Sequence, residues 1–132
     1  MRFWDRLYKK AAKWNKKAAE RGYAESQYSL GLIYYECKGV EQDYKEASKW
    51  FLKAAEQEHA GAQYNLGLMC YEGKGVIEDY TETYKWILLA GSNGYDVSKV
   101  KKNLKTKMTP LQIAVAQELA KAFIENKNWH GN

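Results

Sequence analysis

The chain is predicted to be an all-α solenoid of stacked helix pairs, and three observations predict it. Identical side chains return every 36 residues, apolar residues between them recur at helical spacing, and glycines fall at matching turn positions while Pro110 is the single proline. Trp14, Trp50 and Trp86 share the interval, as do Ala18, Ala54 and Ala90, and Tyr8, Tyr44 and Tyr80. Tyr28 and Tyr64, Leu30 and Leu66, Gly31 and Gly67, Gly39 and Gly75, and Val40 and Val76 follow the same register, with no insertion to break it.

The elements follow in order. Residues 3–21 read as a helix whose buried face is Phe3, Leu7, Ala11, Trp14 and Ala18. A first full unit spans 22–57 and a second 58–93. Each opens with a helix, about 24–36 and about 60–72. One stripe on these helices is Ser26, Leu30 and Ile33, matched by Ala62, Leu66 and Met69; the other is Tyr28, Leu32 and Tyr35, matched by Tyr64, Leu68 and Tyr71. A helix with two apolar stripes meets neighbours on two sides or keeps one for a ligand. The turns Cys37-Lys38-Gly39-Val40 and Gly73-Lys74-Gly75-Val76 place glycine where the backbone turns left-handed. Asp43 with Glu46, and Asp79 with Glu82, form the acidic start of the second helices, about 44–57 and 80–91. Ala47, Trp50, Phe51 and Ala54 lie on one face of the first of these.

Residues 94–126 close the array. A short lysine-rich helix covers 96–106, and Thr109-Pro110-Leu111-Gln112 announces a last helix running to about Asn126. Its inner stripe is expected to be Leu111, Val115, Leu119 and Ala122, with a loose tail from Lys127. The whole of 1–132 is expected to be a single domain.

Charge is uneven. Residues 1–21 carry +6, residues 22–96 carry −6 and residues 97–132 carry +5. The lysine-rich ends, Lys9, Lys10, Lys13, Lys16 and Lys17 in one and Lys99, Lys101, Lys102, Lys105 and Lys107 in the other, suit solvated end helices or an acidic partner. An acidic middle breaks any continuous basic stripe, which disfavours nucleic acid. No apolar run reaches the roughly 18 residues of a membrane span. The opening Met1-Arg2-Phe3-Trp4-Asp5-Arg6 has charges where a signal peptide needs an apolar core, so a cytoplasmic location is expected.

Chemistry is sparse. Cys37 and Cys70 have no second Cys or His at metal-ligand spacing, so no metal or other cofactor is expected, and two reduced thiols are the simplest reading. His59 and His130 lack an evident carboxylate or nucleophile partner, and no serine or cysteine sits in an activating motif. Gly73-Lys74-Gly75 lacks the strand, the glycine spacing and the hydroxyl of a phosphate loop. No catalytic residue is expected, and the chain is read as no enzyme.

Across the units the pattern is Ala-x-x-Trp-x-x-x-Ala-Ala-Glu, then Gln-Tyr-x-Leu-Gly-Leu, then Gly-Val-x-x-Asp-Tyr, seen at Ala47 to Glu56, Ala62 to Tyr71 and Gly73 to Tyr80. This resembles the Sel-1-like repeat (SLR) family, relatives of the tetratricopeptide repeats. Met108 to Ala114 with Ala116 and Gln117 resembles the closing helix common in bacterial members. The resemblance implies a right-handed α/α superhelix with a C-terminal capping helix. Departures are Glu58 where Gly22 and Gly94 stand, Cys37 where Gly73 stands, and Thr83 where Ala47 stands, expected to loosen the last pair. One cysteine per unit, at unmatched positions, departs from the secreted branch with its two per repeat.

The function this implies is a non-catalytic protein–protein interaction module with a concave groove for a protein partner. An antidote (immunity) protein masking a toxin or effector is one version. The alternative is a regulatory adaptor of a membrane or envelope complex that uses the basic ends on an anionic surface. A monomer is favoured because the end helices should cap the stack. If the first helix of each pair lines the concave side, as in tetratricopeptide-like solenoids, the candidate surface is Tyr28, Leu32 and Tyr35 with Tyr64, Leu68 and Tyr71, edged by Ser29, Asn65, Glu36 and Glu72. Tyrosine offers apolar area and a hydroxyl at small entropic cost. The alternative is that these tyrosines pack between neighbouring helices.

Overall fold

The computed structural model describes residues 3–36 and 43–130. Among these are seven helices: α1 (Phe3–Glu20), α2 (Ala24–Glu36), α3 (Tyr44–Glu56), α4 (Ala60–Glu72), α5 (Tyr80–Ser92), α6 (Ser98–Lys107) and α7 (Pro110–His130). No strand occurs among the described residues. The turn expected at Cys37-Lys38-Gly39-Val40 lies outside them.

Local chemistry sets the boundaries. Asp43 accepts from the Glu46 amide at 3.1 Å, and Asp79 accepts from the amides of Thr81 and Glu82 at 2.9 and 3.1 Å. These bonds fill donors that a helix start leaves open. Thr109 and Gln112 close a reciprocal box at the head of α7, each side chain accepting from the other's amide. Gly75 (φ 73°) bends the chain after α4 where a Cβ would stand 2.3 Å from the Tyr44 carbonyl oxygen. Glu58 takes the left-handed conformation (φ 66°) that glycine takes at Gly22 and Gly94.

Consecutive helices pack pairwise in a line, α1 on α2, α2 on α3, α3 on α4 and α4 on α5. The main core joins Ala47, Phe51 and Ala54 of α3 to Leu66 and Met69 of α4 and Trp86 and Leu89 of α5. A second cluster joins Tyr84 and Ile87 of α5 to Leu104, Met108 and Ala116. Thr83 does not loosen its pair: it is wholly buried, and its hydroxyl donates to the Asp79 carbonyl at 2.8 Å.

Three expectations about the ends are overturned. On α1 the buried residues are Ala12 and Ala19, whereas Phe3, Leu7 and Trp14 are exposed, Trp14 at 78%. Trp50 is buried against Ala19 and Leu30, and Trp86 lies in the core with Ala55 and Leu66. Periodicity reports a residue type, but burial needs the neighbour. On α7 the covered positions are Ala116 and Ala120, with the Phe123 ring edge-on to Trp86 at 5.6 Å; Leu111, Val115, Leu119 and Ala122 face outward. Small alanines let α7 lie close on α5, and that contact outweighs the larger leucines. The expected loose tail from Lys127 is helix as far as His130.

Candidate protein-binding groove

Helices α2, α4 and α6 begin 24, 60 and 98 residues into the chain, close to the repeat interval, and share one face. Leu32, Leu68 and Leu104 stand on them 36 residues apart. Between α2 and α4 lies a recess of about 180 Å³ lined by Leu32, Tyr35, Glu36, Phe51, Asn65 and Leu68. Between α4 and α6 lies a second, about 110 Å³, lined by Leu68, Tyr71, Thr83, Val100, Asn103 and Leu104. Leu68 is the ridge common to both.

The ten expected site residues thus divide. Leu32, Tyr35, Glu36, Asn65, Leu68 and Tyr71 come together on the two recesses. Tyr28 instead stacks on His59 at 4.4 Å and leans on Phe51 at 5.9 Å. Tyr64 stacks on Tyr95 at 4.4 Å. Ser29 is half-buried beside Tyr28 on α2 and lines neither recess. Glu72 pairs with Lys74 at 2.8 Å. Phe51, Thr83, Val100, Asn103 and Leu104 line the recesses without having been expected there. Leucine at 32, 68 and 104 was the available signal for the third helix.

Lysines hold the tyrosines at the rim. Lys74 reaches the Tyr35 hydroxyl at 3.5 Å and lies 5.4 Å from the Tyr44 ring centre. Hydrogen bonds to Glu72 and then to Tyr35 push its ammonium pKa up. Lys107 donates to the Tyr71 hydroxyl and lies 5.0 Å from that ring. The Tyr71 hydrogen bond raises its pKa too. Tyr71 also stacks on Tyr80 at 5.4 Å. Burial is the largest cause that raises the hydroxyl pKa values of Tyr28 and Tyr64. Tyr28 and Tyr64 therefore stay neutral near pH 7.

His59 has the carboxylate partner that was not evident in its sequence surroundings. Its Nε2 lies 2.8 Å from Glu25 Oε2, and its Nδ1 accepts from the Ala62 amide at 3.1 Å. With Nδ1 accepting, Nε2 carries the proton and donates to Glu25. The imidazole thereby caps α4 and ties it to α2, a structural task. Among the described residues no group of three or more His, Cys, Asp or Glu is placed to hold a metal ion. Cys37 lies outside the described residues. No helix of the described residues is long and apolar enough to cross a membrane.

A line of helix hairpins packed one on the next at a fixed interval defines an α-helical repeat solenoid. The Sel1 repeat family model matches residues 5–23, 24–59 and 60–95, and the chain belongs to that family. Among solved structures it is similar to a protective antigen of uropathogenic Escherichia coli strains with an SLR fold, at 35% identity and a TM-score of 0.85 over 89% of this chain. It is also similar to a Sel1 repeat protein from Oxalobacter formigenes, at 41% identity and a TM-score of 0.64 over 65% of this chain. The chain spans 26% of the first protein and 35% of the second. Comparison with curated proteins gives no match. Sel1 repeats in general mediate protein–protein contacts.

Proposed function

We propose that the chain holds a protein partner on the face shared by α2, α4 and α6. The observation that carries this reading is the pair of recesses one repeat apart, with Leu68 between them. Each is of a size for one apolar side chain. Neighbouring packed helices lie roughly 8–10 Å apart. A strand advancing about 3.3 Å per residue would span that distance with anchors at i and i+3. A helix rising 1.5 Å per residue would do so with anchors about two turns apart. The hydroxyls of Tyr35 and Tyr71 and the amides of Asn65 and Asn103 supply polar contacts beside the apolar floor. The antidote setting implied by the family resemblance draws no support from this lining, which selects an anchor chemistry and not its owner.

Leu68→Glu tests the reading, because Leu68 is half-buried and serves both recesses. Capture from the native cell followed by mass spectrometry should return a partner with the wild-type chain. That partner should be lost with Leu68→Glu while the thermal melt stays close to wild type. A partner retained undiminished by the variant would place the binding face elsewhere.

A further inference from the structure

An ammonium set on a pair of tyrosines occurs twice along the groove, and only one of the two meets a carboxylate. The rings of Tyr35 and Tyr44 lie 5.3 Å apart, with the Lys74 ammonium 5.6 and 5.4 Å from their centres. Tyr71 and Tyr80, each 36 residues further on, stack at 5.4 Å. There the Lys107 ammonium lies 5.0 Å from the Tyr71 ring centre and donates to the Tyr71 hydroxyl. Lys74 is paired with Glu72 at 2.8 Å. One repeat after Glu72 stands Met108, which is buried. Among the described residues Lys107 has no carboxylate partner, and its side chain is exposed beside the second recess. That recess is walled by α4, α5 and α6, so its lining lies within the described helices. The two flanking helices differ in the same sense. Helix α2 carries Glu25 and Glu36 and no Lys or Arg, whereas α6 carries five lysines and no Asp or Glu.

We propose that Lys107 takes a carboxylate from the segment that fills the groove, so that the partner presents an Asp or Glu beside its anchor in the second recess and none beside its anchor in the first. This rests on the groove reading above and gives it a direction. The incoming carboxylate does for Lys107 what Glu72 does for Lys74. An ammonium has three donors, and one of those on Lys107 goes to Tyr71, which leaves two for the carboxylate. At the first recess the wall holds Glu36, and Lys74 is already neutralised, so a second carboxylate there meets like charge. Such an arrangement fixes register and partner choice more than it adds affinity. The anion belongs to a peptide because the second recess, about 110 Å³, takes one apolar side chain and not an acyl chain.

The test selects from a phage-displayed library of random dodecapeptides on the full chain and keeps the peptides that Leu68→Glu no longer binds. The tightest of these is synthesised, and each Asp or Glu in it is exchanged in turn for Asn or Gln. One exchange should weaken binding to the wild-type chain by roughly two- to fivefold, the scale of an exposed ion pair. The same exchange should cost as much against Lys107→Arg and nothing against Lys107→Met, which closes a double-mutant cycle. Lys107 is exposed, so both variants keep the fold, and a circular dichroism melt checks this. Leu68-dependent peptides without an acidic residue, or an exchange that costs the same against Lys107→Met, overturn the proposal and leave the groove reading in place. No Leu68-dependent peptide at all overturns both. Lys107-dependent binding to phosphatidylserine vesicles, without a carboxylate preference among the peptides, assigns the lysine to lipid and overturns the proposal as well.

Discussion

The wholly buried amide of Gln63 donates through Nε2 to the Ala55 carbonyl at 3.1 Å and so ties α4 to the last turn of α3. One repeat earlier, Gln27 does the same to the Ala19 carbonyl at 3.1 Å. Each glutamine also accepts from the residue that ends the next helix of its pair. Gln57 donates to Gln27 at 2.9 Å and Asn93 to Gln63 at 3.0 Å. The carbonyls served lie at helix ends and also accept from the amides of Gly22 and Glu58. Gln63→Met keeps the length of the side chain and removes both bonds. It should cost about 1–3 kcal/mol in urea unfolding. Gln57→Ala, at an exposed position, should cost less than half as much; equal losses would deny the buried amide its special weight.

The three recurring indoles should respond differently to truncation. Trp50→Ala removes a buried aromatic and should cost about 3–5 kcal/mol. Trp14→Ala should stay within about 0.5 kcal/mol of wild type. Thermal melts of the two variants side by side decide it, and a large loss for Trp14→Ala would contradict the open α1 face.

Glu58 occupies a left-handed conformation that costs a residue with a Cβ roughly 1–2 kcal/mol. Glycine recovers that cost and gives back part of it as extra freedom in the unfolded chain. Glu58→Gly is therefore expected to stabilise by about 0.5–1 kcal/mol. A loss of stability in denaturant titration would show that the Glu58 side chain makes a contribution of its own.

The Tyr84 ring is fully buried, and its hydroxyl finds no hydrogen-bond partner among the described residues. Burying an unpaired hydroxyl is unfavourable. Tyr84→Phe should raise stability by about 1 kcal/mol, read from the midpoint of chemical unfolding. A decrease would reveal a bond to that oxygen.

Burial pushes the Cys70 thiol up to about 11, helped by the nearby carboxylates of Glu82 and Asp79. The folded chain thus favours the protonated thiol. The stabilisation is complete below the unfolded value near 9 and is lost as pH rises through about 11. At pH 8 iodoacetamide should leave Cys70 unmodified in the native chain and label it in urea. Native labelling of Cys70 at the unfolded rate would contradict the burial, with peptide mapping to separate it from Cys37.

The 36-residue interval, the caps at Asp43 and Asp79 and the Thr109-Gln112 box placed the helices of the repeats and the head of α7, because each is a local signal carried by neighbours in the chain. That Leu32, Tyr35, Glu36, Asn65, Leu68 and Tyr71 would lie together on the candidate groove was legible for the same reason: they sit on helices whose stripes can be read directly. What tertiary structure alone decided is which copy of a repeated residue has a neighbour. Trp14 and Trp50 are the same residue in the same local pattern, yet one is open and the other covered, because burial depends on a helix that packs from elsewhere. The same holds for α7, where packing on α5 selected Ala116 and Ala120 over Leu111 and Leu119, and for His59, whose carboxylate stands 34 residues away on another helix.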